Sequence, residues 1–152
     1  MIKEVFDPLQ HKTYTPKNPE KYVGKYPIIL RSGLEAKFVY WCDNNPNVKF
    51  WSSESIEIPY PDPYGKTYKS GKLKVRRYYP DFLIQTSGGR FLVEVKPYKE
   101  TIVPKKTARK SDKTYLQEIF KYKKNIAKWN AAYKFCKKHG LMFKIITEKD
   151  LS

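Results

Sequence analysis

Acidic residues are scarce in this chain. Its 152 residues include 15 Asp and Glu against 31 Lys and Arg, a formal net charge of +16. Such an imbalance says nothing about fold, but it calls for a polyanionic partner, nucleic acid above all. Cysteine is nearly absent. Cys42 and Cys136 both fall on apolar positions of expected helices, which excludes a disulfide framework and reads as two buried free thiols in a reducing cytosol. His11 and His139 stand isolated, which argues against a zinc site. No apolar run approaches the roughly 18 residues of a membrane span, Met1-Ile2-Lys3-Glu4 opens no signal-peptide core, and no membrane partner is expected. There is no internal repeat. Apolar side chains are not lacking: 40% of residues are hydrophobic and 16% aromatic, enough for one folded domain with a core.

The most informative stretch is Tyr79-Pro80-Asp81-Phe82, followed thirteen residues after Asp81 by Glu94-Val95-Lys96. Phe82-Leu83-Ile84-Gln85 and Phe91 to Lys96 are rich in strand formers, and Thr86-Ser87-Gly88-Gly89 is a turn signal between them. A two-residue loop at Ser87-Gly88 places Asp81 opposite Glu94; one at Gly88-Gly89 places it opposite Lys96. In both registers the three side chains share a face. Glu94 and Lys96 are two residues apart, roughly 6.6 Å along the strand. A three-residue loop would break the pattern. Glu-x-Lys alone reads as a surface pair; the Pro-Asp at the matching point of the partner strand makes it a site.

Two carboxylates and a lysine on one hairpin are the layout of a divalent-metal nuclease site. Mg²⁺, with Mn²⁺ as substitute, takes hard oxygen ligands and one or two protein carboxylates. Asp81 and Glu94 would supply these, and the Val95 carbonyl a third donor. Lys96 would orient the attacking water and stabilise charge on phosphorus. A third carboxylate lies upstream. Leu34 to Cys42 reads as an amphipathic helix, with Ser32 as N-cap and Glu35 closing a capping box. Taken alone, Glu35 is a capping residue; the downstream hairpin makes it a further metal ligand.

Residues 1–31, with Pro8, Pro16, Pro19 and Pro27 among scattered Lys and Tyr, read as an extended basic arm or tail. Those before about Pro16 are expected to add little to the core. Residues 32–152 form the domain. Ile56, Ile58 and Tyr60 alternate as a strand, and so do Leu73, Val75 and Tyr79. From Ser111 or Thr114 a long helix follows, with Tyr115, Ile119, Tyr122, Ile126, Trp129, Tyr133 and Cys136 as its core stripe and Gly140 as its end. Leu141 to Ile146 is a last strand. The expected fold is α/β, one mixed sheet flanked by helices in a single domain.

Two basic loops flank the hairpin. Lys66, Lys69, Lys72, Lys74, Arg76 and Arg77 form the first, without an acid among them; Lys105, Lys106, Arg109 and Lys110 lead the second. Both are expected to hold DNA by its phosphates, without base readout. Tyr64, Tyr68 and Tyr98 could stack on unpaired bases.

Glu35, Pro80-Asp81 and Glu94-Val95-Lys96 resemble the pattern of the PD-(D/E)xK nuclease superfamily. Pro16 to Tyr22, Arg31-Ser32-x-x-Glu35, Trp41-Cys42-Asp43-x-Asn45-Pro46, Trp51-Ser52-Ser53-Glu54, Ile58-Pro59-Tyr60, Val93 to Pro97, Lys128-Trp129 and Ile146-Thr147-Glu148 resemble the T-even-type phage head completion family, itself similar to TnsA-type transposon nucleases. The resemblance runs from about Thr15 to the C-terminus. It implies a restriction-endonuclease-like core, Mg²⁺ dependence and cleavage or trimming of DNA ends. It implies phage head or portal proteins as partners, and a place in the host cytoplasm during assembly or in the virion. A homodimer stays open. So do two other functions, a non-catalytic plug for a DNA end and a transposon-end nuclease. Gln117 is followed by Lys121, with Tyr122 one position out, which departs from the Gln-x-x-x-Tyr of RecB-type nucleases.

Overall fold

The hairpin is where local chemistry decides most. In this computed structural model, which describes residues 12–151, β6 (Phe82–Thr86) and β7 (Gly89–Val95) are joined by Ser87-Gly88 alone. Phe82 pairs with Val93 and Thr86 with Gly89. Carried one step further, this ladder puts Asp81 opposite Glu94, the first of the two expected registers. Gly89 sits at φ 126°, a conformation an L side chain rarely takes, and a Cβ there would meet Met142 at 3.0 Å.

β7 lies inside a four-stranded sheet of order β3-β6-β7-β8. β3 (Val48–Ser53) runs antiparallel to β6, and β8 (Met142–Ile146) parallel to β7. The parallel partner is reached through the long helix α2 (Asp112–His139), as a parallel crossover requires. Ser111 caps α2, its hydroxyl accepting from Thr114 N–H, and Gly140 closes it in the left-handed conformation at φ 70°.

The two faces of the sheet bury separate cores. On one, Phe82, Ile84, Val93 and Val95 pack with Trp51 and with Phe38, Val39 and Cys42 of α1 (Gly33–Asn44). On the other, Leu92 packs with Trp129, Ala132 and Cys136 of α2 and with Tyr60 and Tyr78. The period-2 alternation of β7 thus serves both layers. Tyr60 and Tyr78 come from β4 (Ile58–Pro61) and β5 (Val75–Tyr78), a separate antiparallel pair rather than part of the main sheet. Both cysteines are buried and free.

Two expectations need correction. The α2 stripe was expected to include Tyr133, which is 63% exposed; Asn125, Trp129, Ala132 and Cys136 are the buried positions. The buried positions of α2 begin at Asn125, and before it Leu116 and Phe120 are exposed as well. The second concerns the arm of residues 1–31. Residues 1–11 lie outside the described residues, but 12–31 are part of the fold. β1 (Lys12–Tyr14) pairs with β2 (Ile28–Leu30), and Tyr22, Ile28 and Leu30 belong to the first core. Tyr14 packs edge-on against Trp51, 6.2 Å between centroids. The prolines do not make this segment a tail, because its hydrogen bonds go to residues far along the chain. Asn18 Nδ2 donates to the Asp43 carbonyl at 2.8 Å, and Lys21 Nζ donates to the carbonyls of Cys42, Asp43 and Asn45 at 2.6, 3.0 and 2.8 Å. Lys21 therefore satisfies the C-terminal carbonyls of α1.

Candidate active site

Pro80 is buried and lacks an N–H, so the chain enters β6 without a ladder donor before Asp81. The Asp81 carbonyl accepts from Glu54 N–H at 2.9 Å, and its carboxylate accepts from Val95 N–H at 2.8 Å. Asp81 is thereby fixed to the strands on both sides of it. Glu94 is 4% exposed and pairs in the ladder with Ile145 of β8; Lys96 N–H donates to the Ile146 carbonyl at 2.9 Å. The Glu94-Val95-Lys96 backbone is clamped between two neighbours, which limits how far its side chains can wander.

The electrostatics mark this pair. Burial pushes the Asp81 carboxyl well above the usual carboxylate range, and the Glu94 carboxylate beside it pushes it further. The Val95 N–H and the Lys96 ammonium pull it back only in part. Glu35 is raised too, first by burial and then by Asp81, with Arg31 and Lys96 opposing. Glu35 therefore does come into the field of Asp81 and Lys96. Its contacts are those of the helix start: Ser32 Oγ accepts from Glu35 N–H at 3.1 Å, and Glu35 accepts from Arg31 N–H at 3.0 Å. The expected capping residue reaches one position beyond the N-cap. Among the described residues, no three His, Cys, Asp or Glu side chains converge into a group that could hold a metal ion. The acidic donors in closest relation are Asp81 and Glu94.

The long helix brings residues to which the sequence assigned no role. Lys128 sits 5.4 Å over the Tyr78 ring. Burial lowers its pKa, as does Lys124; Glu94 and Asp81 pull the other way and Lys96 adds to the lowering. A second ammonium thus lies within the electrostatic reach of the carboxylate pair. Tyr78 hydroxyl and Trp129 Nε1 are buried beside Glu94 without a well-formed hydrogen bond. The Tyr78 hydroxyl is held neutral by burial and by the charges of Glu94 and Asp81. On the other flank Arg31 ion-pairs with Glu54, so Arg31 ties Glu54 to the same helix start that orients Glu35. The motifs Arg31-Ser32-x-x-Glu35, Trp51 to Glu54 and Lys128-Trp129 were the available signal for these contacts.

The two basic loops are placed on either side of α2. Tyr64, in the loop between β4 and β5, donates its hydroxyl to the Phe120 carbonyl and packs on the Phe120 ring at 5.2 Å. Lys110 pairs with Glu118 at 2.7 Å. Positions 118 and 120 are about 200° apart around a helix, so the loops flank the first half of α2. Lys66, Lys69, Lys72, Lys105, Lys106 and Arg109 are exposed. Arg76 differs: its Nε donates to the buried Asp62 at 2.8 Å, where Tyr64 and Lys66 N–H also converge. It anchors the loop. Arg77 pairs with Glu57 at 3.0 Å, and Lys74 lies 5.9 Å over the Tyr68 ring. Tyr64 is engaged with α2, and Tyr98 lies under Lys149, 3.4 Å from ring centroid to Nζ. All three expected stackers are exposed, Tyr68 the most.

A mixed sheet that carries Asp81, Glu94 and Lys96 on one hairpin beside a long helix is consistent with a nuclease fold, and comparison with known proteins places the chain in that class. The family described as TnsA-like endonuclease N terminal matches residues 45–148, and the chain belongs to it. It is also 37% identical over 143 residues, 91% of each chain, to the head completion nuclease of Enterobacteria phage T4. The match to the family begins just after α1, so Glu35 lies outside it while Asp81, Glu94 and Lys96 lie within. No helix among the described residues is long and apolar enough to cross a membrane.

Proposed function

We propose that this protein is a metal-dependent deoxyribonuclease that hydrolyses phosphodiester bonds at or near DNA ends during phage head completion. The observation that carries the reading is the Asp81–Glu94 pair. Two carboxylates, one buried and one half-buried, repel each other in a strongly basic domain, with Lys96 two residues beyond Glu94. Their all-oxygen donor set suits Mg²⁺ or Mn²⁺, and a cation beside them would relieve the repulsion that raises Asp81. Asp81 and Glu94 would hold the ion, with the Val95 carbonyl as a further donor; Glu35 lies in their field without converging with them into one group and would act through its charge. When bound, it supplies Lewis-acid polarisation of the phosphoryl group and an activated water.

The chain's own residues do the rest. Lys96 places a positive charge where charge grows on the phosphoryl oxygens as water adds to phosphorus and the leaving oxygen departs. Lys128 adds a second ammonium within electrostatic reach. Lys66, Lys69, Lys72, Lys105, Lys106 and Arg109 track the phosphate backbone on either side of α2. DNA is the partner, held without base preference. The relative's name supports phage head proteins as further partners, with assembly in the host cytoplasm.

The test is cleavage of plasmid and of linear DNA with and without Mg²⁺, beside calorimetric Mg²⁺ titration, on wild type, D81N, E94Q and K96M. All three variants should stop nicking; D81N and E94Q should also lose the ion, whereas K96M should keep it. Undiminished nicking by D81N, with contaminating nuclease excluded, would remove this hairpin as the active site. DNA binding should weaken with salt at a log–log slope of about −5 if about six phosphates are neutralised.

A further inference from the structure

A cavity of about 570 Å³ lies between the 97–110 connector and α2, within the size range of small-ligand sites. The structural role of the connector does not account for what lines it. Asn125 is 4% exposed, and its Nδ2 has no hydrogen-bond partner. A buried amide donor left unpaired is costly in a folded protein. Above it, Ile102 and Val103 present exposed apolar surface and Tyr122 contributes a ring. Lys110 and Lys121 in the lining are held by Glu118 and Glu100, whereas Lys99 and Lys105 are exposed at its rim. The cavity therefore combines an apolar wall, a ring, one buried hydrogen-bond donor and an excess of positive charge.

Its position relative to the carboxylates is set by the helix. Asn125 and Lys128 are three residues apart, on one face of α2 and about 4.5 Å along its axis. Lys99 and Glu100 of its lining follow Lys96 by three and four residues, and Lys128 lies in the field of Glu94 and Asp81, so the cavity lies on the side where the chain leaves the carboxylates.

We propose that this cavity is a subsite for one unstacked nucleotide of the DNA substrate. The base enters between the Ile102–Val103 wall and Tyr122, Asn125 donates to an acceptor on its edge, and Lys99 and Lys105 meet the attached phosphate. The inference rests on the reading of the protein as a DNA-acting enzyme and adds that it selects a strand end or an extruded nucleotide over continuous duplex. Stacking and one buried hydrogen bond together should favour such DNA about tenfold.

Binding is measured on the full chain by fluorescence anisotropy in EDTA, so no cleavage is needed. The probes are a blunt duplex, the same duplex with a single-stranded overhang, and one with an internal mismatch bubble. Two variants are compared with wild type. N125L replaces the unpaired amide with an apolar side chain of similar size and should melt no lower than wild type. Val103 is 59% exposed, so V103E places a carboxylate at the cavity without touching the core. Wild type should prefer the overhang, or both the overhang and the bubble, to blunt duplex by about tenfold, and both variants should reduce that to about twofold or less. Preference for the overhang alone identifies a strand end; preference for both identifies any unstacked nucleotide. Equal binding of all three probes by wild type, or preference retained in both variants, would overturn the proposal. A wild type that discriminates but never nicks DNA in Mg²⁺ would refute the nuclease reading and leave the subsite standing. One that nicks without discriminating would do the reverse.

Discussion

Asp43 and the Asp81–Glu94 pair are treated in opposite ways by the same fold. Asp43, in the last turn of α1, is 0% exposed. Tyr14 donates its hydroxyl to Oδ2, Lys17 N–H donates to Oδ2 at 2.7 Å, and Asn18 N–H donates to Oδ1 at 3.0 Å. Burial alone would raise its pKa, but these hydrogen bonds more than offset it and hold the carboxyl below the usual range. Asp81 receives one backbone N–H and a neighbour of its own sign, and its pKa moves up. The chain is thus able to satisfy a buried carboxylate completely, as it also does at Asp62. Where it leaves two of them under mutual repulsion, an external positive charge is the missing partner.

The contrast can be broken most sharply by neutralising each side. D81N and E94Q should each lower Mg²⁺-dependent nicking by about a hundredfold or more, with a thermal midpoint equal to or above that of wild type. D43N should do the reverse. It removes the charged acceptor of three hydrogen bonds and should lower unfolding stability by about 3 kcal/mol in a urea titration, while nicking per folded molecule is kept.

pH should separate the two sites next. Asp81 binds its proton more tightly folded than unfolded, so its contribution favours the folded state at low pH. Metal-free wild type should lose stability relative to D81N as pH rises from about 4 to about 8, and Mg²⁺ affinity should climb over the same window. Asp43 has a depressed pKa, so the stability it contributes is present above about 4 and lost as pH falls below that. Paired denaturation series of wild type, D81N and D43N from about pH 2 to about pH 8 would read both slopes.

Glu35 gives the smallest effect and joins the two regions, since it lies at the start of the helix whose last turn carries Asp43. E35A should cost about 1 kcal/mol through the helix start. E35Q keeps an acceptor for Arg31 N–H and should restore that stability. A fall in nicking shared by both variants would mark the charge of Glu35 as part of the site; full nicking by E35Q would confine it to the cap.

What could be read without a structure were features fixed over short chain distances. A two-residue turn within Thr86–Gly89 leaves β6 and β7 two registers, both with Asp81, Glu94 and Lys96 on one face, and the structure takes the one at Ser87-Gly88. Ser111 and Gly140 bound α2 because they satisfy its terminal N–H and carbonyl groups. Asp81, Glu94 and Lys96 share a hairpin for the same local reason. β3 was hidden because a bulge between Val48 and Phe50 breaks its alternation. Whether the 12–31 segment lies over the domain or trails as a tail could not be read, because its partners at Asp43 and α1 lie some 20 to 30 residues away, and composition carries no record of such pairings. Only the tertiary structure could bring Lys128 into the field of the carboxylates, divert Arg76 to Asp62, and bury Asn125 unpaired at the back of a cavity. Those outcomes depend on how a helix rolls against a sheet, and the helical period allows several faces to be the buried one.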